Sequence, residues 1–351
     1  MLNYLTSTMP FQITIEPSGH AYAAVPEQTI LQSALDAGFI LPYGCRNGAC
    51  GSCKGKVVAG QIEQRSYQQG VLTDEEREAG FALFCCATPL SDITIECNEL
   101  GAIKDIPIKT LPCRVQKMER PAPDVMILHL RLPANERLQF LAGQYLDILM
   151  KNGRRRSFSF ANAPHDDELL QLHVRFVPGG HFTEHAFTHM KERDILRFQG
   201  PHGAFFLREE SSKPILFVAG GTGFAPIKAM IEHALHNKSS RPMTLYWGAR
   251  SRVDLYMPGL PEVWQTLTPN FCYVPVLSEP RRDDDWQGRT GLVHEAVMQD
   301  HSDLSHYQVY VCGAPAMVDA AKRDFTTMRG LSQEEFFSDS FSFASDSIGT
   351  S

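Results

Sequence analysis

The sequence contains no run approaching ~20 consecutive apolar residues, the length a helix needs to cross a bilayer, so no membrane partner is expected. It has no basic excess: 33 Lys and Arg stand against 40 Asp and Glu, a formal charge of -7. A nucleic-acid backbone calls for a clustered basic surface and is therefore not an expected partner. Nor do its nine cysteines, an odd number, read as a disulfide framework. Four of them crowd between Cys45 and Cys85, which suits metal binding in a reducing compartment better. Residues Met1 to Pro10 lack a charged start followed by an apolar core, and the expected location is the cytoplasm. Internal repeats and low-complexity blocks are also missing.

What is present is an ordinary globular mixture, 43% hydrophobic and 21% charged over 351 residues, with room for two or three cores. Three textures follow one another. Near the start, Gln12 to Glu16 alternates like a half-buried strand, Thr29 to Ala37 has helical spacing and stops at Gly38, Thr73 and Glu76 form a capping-box pattern, and Ile93 to Glu96 reads as a strand. From about Lys104 come Pro-punctuated strands at Cys113 to Lys117, Val125 to Leu132, Tyr145 to Leu149, Ser157 to Phe160 and Leu170 to Val177, a spacing that suggests an antiparallel barrel. From Lys213 the pattern alternates: strand Pro214 to Ala219, helix Phe224 to His236, strand Met243 to Gly248, strand Gln308 to Val311, helix Ala316 to Met328. Such alternation predicts a parallel sheet covered by helices. Ser345 to Ser351 are small and polar, and fraying is expected.

The cysteines of the first module carry chemistry. Cys45, Cys50 and Cys53 have the C-x4-C-x2-C spacing of plant-type ferredoxins, which hold [2Fe-2S] with a distant fourth thiolate. Cys85 and Cys86 compete for that fourth place, and spacing does not choose between them. Zinc also accepts four thiolates, but its sites usually pair two short knuckles, whereas here three ligands share one loop. Gly44, Gly48 and Gly51 are expected to let backbone N–H groups turn toward sulfur. Cys97 and Cys113 read as core residues.

In the second module Arg156, Phe158 and Ser159 are read as a cation, a ring and a hydroxyl alternating along one strand and sharing a face, suited to a pyrophosphate, an aromatic cofactor ring and a ring nitrogen. His173-Val174-Arg175 lies on another strand, and Pro178-Gly179-Gly180-His181-Phe182-Thr183 offers amides and a hydroxyl at a helix start, an anion seat. For side-chain catalysis His173, His181 and His185 read as packing residues. In the third module Gly220-Gly221-Thr222-Gly223 joins an apolar strand to a helix carrying Pro226, and it is not G-x-G-x-x-G. Gly248 to Arg250 and Cys312-Gly313 with Met317 end strands at the same sheet edge, where open parallel sheets bind ligands. Cys312 is placed to touch the reacting ring, with a buried inert thiol as the alternative.

These motifs resemble the ferredoxin–NADP reductase superfamily: Arg156-Ser157-Phe158-Ser159 its flavin motif, Gly180 to Thr183 its pyrophosphate motif, Gly221 to Pro226 its nicotinamide loop, Cys312-Gly313 its late strand motif. With the N-terminal cysteine loop, Phe11 to Ala344 is similar to the reductase components of bacterial phenol hydroxylase, toluene or xylene monooxygenase and naphthalene dioxygenase systems, and to CDP-6-deoxy-glucoseen reductases. The resemblance implies three domains: a β-grasp α+β ferredoxin over 1–104, an antiparallel FAD barrel over 105–210 and a parallel-sheet α/β NAD(P) domain over 211–351. It implies the ligand set Cys45, Cys50, Cys53 and Cys85, since the family's fourth ligand follows two apolar residues, here Leu83-Phe84. One departure is Phe158, where the family commonly has Tyr; a hydroxyl contact is lost while stacking is kept.

Expected flavin contacts are Arg156, Ser157, Phe158, Ser159, His173, Val174, Arg175, Gly179, Gly180, His181, Phe182 and Thr183. Expected nicotinamide contacts are Gly221, Thr222, Gly223, Pro226, Gly248, Arg250, Cys312, Gly313 and Met317. The implied activity moves a hydride from NAD(P)H, NADH by the wider resemblance, to flavin N5, with Ser159 bonding N5 and Cys312 orienting the donor ring. Electrons then pass singly through the cluster to a partner, an oxygenase component or, alternatively, a sugar dehydrase. The contrasting class is a plain electron carrier with a decayed flavin or nucleotide site, against which the intact glycine loops and Arg156 argue. Arg250 and Arg252 end a strand with no acidic residue for a ribose diol and are candidates to admit a 2′-phosphate. The aromatic ending Phe336 to Phe341 is a candidate cover for the flavin.

Overall fold

The computed structural model describes residues 10–25, 27–100 and 106–341. Residues 1–9, the fraying expected over Ser345 to Ser351 and the 104/105 boundary fall outside them. The chain divides into two compact units, Met1–Ile106 and Pro107–Ser351.

The first unit runs β1 Phe11–Glu16, β2 Ala21–Ala24, α1 Ile30–Asp36, β3 Lys54–Ala59, β4 Ile62–Gln64, α2 Asp74–Glu78, β5 Phe81–Leu83, β6 Ala87–Pro89 and β7 Ile93–Glu96. Five strands form a mixed sheet in the order β2-β1-β7-β3-β5, with β1 parallel to β7, while β4 pairs with β6. Alternation in β1 sends Ile13 and Ile15 to full burial, and Ile30 and Ala34 of α1 and Ile95 of β7, which pairs with Ile15, are buried as fully. Thr29 caps α1 by accepting from the Gln32 amide, and Gly38 follows at φ +82. The capping box at Thr73 forms: its hydroxyl accepts from the Glu76 amide, and Glu76 accepts from the Thr73 amide. This is the β-grasp α+β fold expected.

The second unit opens with β8 Lys109–Ala122, β9 Val125–Arg131, β10 Tyr145–Leu149, β11 Arg155–Ser159, β12 Leu170–Arg175, α3 His181–Thr188 and β13 Ile195–His202. The order β11-β10-β13-β8-β9-β12 is antiparallel throughout, and a bridge between Phe160 and Leu172 joins its two ends into a barrel. Leu128, Leu146, Phe160, Leu172, Val174 and Phe198 fill it, all fully buried. Then come β14 Ile215–Gly220, α4 Phe224–His236, β15 Met243–Ala249, α5 Gly259–Leu267, β16 Phe271–Leu277, β17 Arg289–Thr290, α6 Val293–Asp300, β18 Gln308–Gly313, α7 Pro315–Met328 and β19 Phe336–Ser340. These strands build a parallel sheet in the order β17-β16-β15-β14-β18-β19. Its central strand β14 reads Ile-Leu-Phe-Val-Ala because helices cover both faces. No helix among the described residues is long and apolar enough to cross a membrane.

Several elements escape the sequence patterns. The strand β13 mixes Arg197 and Gln199 with apolar residues because one of its faces is exposed, and β16 carries Pro275. The aromatic ending is a sheet element rather than a loose cover: β19 lies parallel to β18, with Cys312 beside Asp339 and Gly313 beside Ser340. There Phe336 is buried, Phe337 stacks on Tyr310 at 4.9 Å, and only Phe341, just past the strand, reaches the nucleotide-side cavity. Cys113 is core, whereas Cys97 follows β7 and is half-buried.

Candidate cluster, flavin and nucleotide sites

The cysteine loop between α1 and β3 is shaped by left-handed backbone: Gly48 at φ +75, Gly51 at +73 and, where no glycine was expected, Arg46 at +58. Gly44 is not among the positive-φ positions. A Cβ on Gly48 would stand 2.8 Å from Tyr67 Cβ, so the position excludes any side chain. The turns aim amides at sulfur: Cys45 N–H donates to Cys50 Sγ and Ala49 N–H to Cys45 Sγ, each at 3.3 Å.

The four expected ligands stand as two facing pairs. The Cys50 thiol's hydrogen bond holds Cys45 down, to about 7, and the same bond followed by burial lifts Cys50 well above the usual thiol range. Cys85 is pushed up to about 12, chiefly by its hydrogen bond with Cys53. Among the described residues no three His, Cys, Asp or Glu side chains converge on one ion position. Two thiol pairs with amides aimed at sulfur fit a two-iron group better than a single zinc with four sulfurs at ~2.3 Å. Cys86 stands outside both pairs, 3.6 Å from Cys85 Sγ and buried.

On the barrel, β11 runs in unbroken register against β10, pairing Phe158 with Leu146 and Ser157 with Asp147. With a period of two, Arg156 and Phe158 leave on one side and Ser157 and Ser159 on the other, so the shared face expected of Arg156, Phe158 and Ser159 fails at Ser159. Ser157 donates to Asp147 Oδ1 at 2.7 Å. Ser159 Oγ is buried with no hydrogen-bond partner, an acceptor-and-donor atom that fits a flavin ring nitrogen. Phe158 packs 5.0 Å from Phe182, the second residue of α3, which ties the ring to the pyrophosphate loop. In that loop Gly179 N–H donates to Glu184, and Thr183 Oγ1 is spent on the backbone, donating to Val177 O and Gly180 O and accepting from Val177 N. Gly180 is the N-cap of α3, so the helix start at His181, Phe182 and Thr183 presents its N-terminal end there.

On β12, Val174 is barrel core, while its neighbours point toward the parallel sheet. His173 is buried, bonded through Nδ1 to Tyr256 OH at 2.8 Å, and held well below the usual imidazole range by burial and then Lys228; its Nε2 has no partner. Arg175 donates to Asp124 at 2.8 Å and approaches Asp254 at 3.8 Å. A Cβ on Gly221, which holds φ +52, would come 2.6 Å from Arg175 Nη1.

Arg175 thereby becomes a wall of a cavity of about 430 Å³ at the carboxyl ends of the parallel strands. The cavity brings together Gly221, Thr222, Gly248, Arg250, Gly313 and Met317 of the expected nicotinamide contacts. Gly223, Pro226 and Cys312 are not on its surface. Gly223 instead presses on β18, where a Cβ would stand 2.1 Å from Cys312 O; Pro226 is buried in the first turn of α4. Cys312 is fully buried in the core, its thiol pushed up by burial and then by Asp339. Trp247 stacks on Phe224 at 3.9 Å and donates its indole N–H to Gly221 O, bracing the glycine turn from below. Sequence reading missed Asp254, Ser278, Gly291 to His294 and Phe341 as lining residues. Ser278 and Gly291 to His294 follow β16 and β17, strands that carry no clear sequence pattern, whereas Asp254 follows β15 and Phe341 follows β19.

Comparison with known proteins agrees with these three sites in order. Residues 13–90 match a 2Fe-2S iron-sulfur cluster binding domain, 112–207 an oxidoreductase FAD-binding domain and 217–323 an oxidoreductase NAD-binding domain. The chain is 41% identical to the CDP-6-deoxy-L-threo-D-glycero-4-hexulose-3-dehydrase reductase of Yersinia pseudotuberculosis, over 95% of this chain and 99% of that protein. It is 36% identical to the phenol 2-monooxygenase reductase component DmpP of Pseudomonas sp. strain CF600, over 98% of each. Among solved structures it resembles the Amycolatopsis cytochrome P450 reductase GcoB, with a TM-score of 0.76, 33% identity and coverage of 94% and 98%.

Proposed function

The chain belongs to the iron–sulfur flavoprotein reductases that join a [2Fe-2S] domain to FAD-binding and NAD-binding oxidoreductase domains, and on that premise we propose that its acceptor is a deoxysugar-forming dehydrase. As a member of that family it moves electrons from NAD(P)H through FAD to a [2Fe-2S] cluster and on to a partner protein. The observation that carries the choice of acceptor is the higher identity, over nearly full length, to the dehydrase reductase than to the oxygenase components. An oxygenase acceptor is the second reading, supported by the end-to-end match to the phenol 2-monooxygenase component. NADH as donor, a cytoplasmic location and three domains over 1–104, 105–210 and 211–351 belong to the same proposal.

When bound, FAD supplies the step-down from a two-electron hydride donor to a one-electron cluster. The residues supply placement. Arg156 pairs with the pyrophosphate, helped by the backbone of Gly179 to Thr183 at the start of α3. Phe158 would pack against the ring, and Ser159 Oγ, which leaves the strand on the other side and has no partner of its own, would hydrogen-bond the ring's nitrogen edge. Gly221 to Gly223 shape the turn on which the donor lies, while Gly248, Arg250, Gly313 and Met317 wall it and Arg175 adds a cation from the barrel side. Pro226 lies in the first turn of α4, whose N-terminal end follows the glycine turn. Cys312 acts through backbone, setting the height of Gly223 and Gly313, rather than by thiol chemistry, which its burial suppresses. Cys45, Cys50, Cys53 and Cys85 hold the cluster. His173 positions Tyr256 and Val174 fills the barrel beneath.

Stopped-flow spectra of the reconstituted full chain test this. Mixing with NADH bleaches the flavin first and the cluster second; a flavin that stays oxidised reduces the protein to a plain carrier. Electron delivery to a purified CDP-hexulose dehydrase should then exceed delivery to a phenol hydroxylase, and the reverse order selects the second reading.

A further inference from the structure

The cluster loop uses four sulfurs, and a fifth lies against them. Cys86 is only 7% exposed, and its Sγ is 3.6 Å from Cys85 Sγ. It does not hang loose. Its N–H donates to Leu83 O at 2.8 Å, and its carbonyl accepts from the Arg65 N–H at 2.8 Å, so the backbone is held on both sides. A Cβ on Gly48 would come within 2.9 Å of Cys86 Sγ, which places this sulfur directly beneath the loop between Cys45 and Cys50. Glycine at 48 is thus required as much by Cys86 as by the left-handed turn.

Between two thiols, either sulfur can donate. Iron binding removes that symmetry, because a ligand cysteine gives up its proton to the metal site. Cys85 is then an acceptor only, and the one remaining hydrogen of the pair is on Cys86. We propose that the Cys86 S–H donates a hydrogen bond to the iron-bound sulfur of Cys85 and raises the reduction potential of the cluster. This rests on Cys85 being the fourth ligand. The direction follows from charge: reduction adds an electron to a cluster whose negative charge is shared onto its thiolates. A donor to one of them stabilises the reduced form more than the oxidised form. Cys86 is a positioning residue, acting on the cluster through Cys85.

The test uses the full chain with cluster and FAD bound, carrying Cys86→Ala or Cys86→Ser, in one redox titration that follows the cluster by EPR and the flavin by absorbance. In Cys86→Ala the cluster's reduction equilibrium should move about three- to tenfold toward the oxidised form, tenfold being 59 mV for a one-electron couple. Cys86→Ser, which keeps a donor, should stay within about twofold of the parent, and the flavin should not move in either. An unchanged cluster potential in Cys86→Ala overturns the proposal. If the alanine variant holds no cluster, Cys86→Val, of similar volume, replaces it in the same titration. Loss of the cluster from both apolar variants while Cys85→Ala, which has no ligating atom, retains it overturns the ligand assignment instead, by making Cys86 the ligand.

Discussion

Replacing Ser159 by alanine should move two quantities in opposite directions. In the protein without FAD, Ser159 Oγ is buried and has no hydrogen-bond partner. A buried hydroxyl left unmade costs about 1–3 kcal/mol, so Ser159→Ala removes a penalty from the flavin-free form. Taking about 1 kcal/mol as the recovered part, the melting temperature of FAD-stripped protein should rise by about 2–4 °C, the scaling for 150–250 residues. With FAD bound, the same change deletes a hydrogen bond worth about 1 kcal/mol net and forfeits the satisfaction of the hydroxyl, so flavin affinity should fall about five- to tenfold. Thermal unfolding of stripped protein and fluorescence titration with FAD read the two quantities separately. If stripped Ser159→Ala melts lower than the parent, the hydroxyl has a structural partner. If FAD binds both forms equally, Ser159 does not face the flavin, and the reasoning fails.

Gly223→Ala would place a Cβ 2.1 Å from Cys312 O, where only backbone could yield. NADH-driven flavin reduction should slow by about 100-fold, the cost of a misplacement near 1 Å, with FAD and iron contents retained; a normal rate would show that the turn does not seat the donor. The two arginines after β15 should separate. Arg252 is tied to Asp284 through its N–H at 3.2 Å and its guanidinium at 3.0 Å, whereas Arg250 lines the cavity. Arg250→Ala should raise KM for NADH about tenfold, one charge-assisted hydrogen bond, while Arg252→Ala should leave the NADH-to-NADPH ratio of kcat/KM unchanged; a shifted ratio would return Arg252 to donor choice. Acid sensitivity should trace partly to His173. Its folded pKa lies well below the unfolded 6.5, so the unfolded chain binds the extra proton and stability falls as pH drops below about 6.5. His173→Gln should flatten that slope by up to about 1.4 kcal/mol per pH unit, measured by urea unfolding from pH 6.5 to 5; an unchanged slope would place the proton elsewhere.

How much of this was legible in the sequence depends on how locally each feature is determined. The cluster loop is local: spacing of Cys45, Cys50 and Cys53 and glycines at 48 and 51 suffice, and even the capping box at Thr73 is written within four residues. The choice between Cys85 and Cys86 is not, because the two are adjacent in sequence and differ only in which one hydrogen-bonds with Cys53, a residue about thirty positions away. Barrel strands with one wet face blur their own pattern, which hid β13, and a proline at 275 masked β16. The lining residues that follow β16 and β17 went unseen with them. The period-two rule, applied without slip, would have separated Ser159 from Phe158 at once.

The glycine turn shows why its pattern departs from G-x-G-x-x-G. In that fingerprint the glycines serve a tight turn, a close ligand approach and helix–strand packing. Here Gly223 meets the backbone of the neighbouring strand β18, and Gly220 lies where a Cβ would stand 2.6 Å from Met317 of α7. Gly221 admits a guanidinium from the barrel. One of the three contacts is to the neighbouring strand, one to a helix that packs on the sheet and one to the barrel of the same unit, so the turn's shape is specified from several sides of the donor site. That makes the cavity a property of the Pro107–Ser351 unit alone, while every cluster sulfur comes from Met1–Ile106. Hydride chemistry needs angstrom-level placement and gets its walls from one compact unit. One-electron transfer tolerates looser placement, and the sulfurs of the cluster site come from one loop and the short segment after β5.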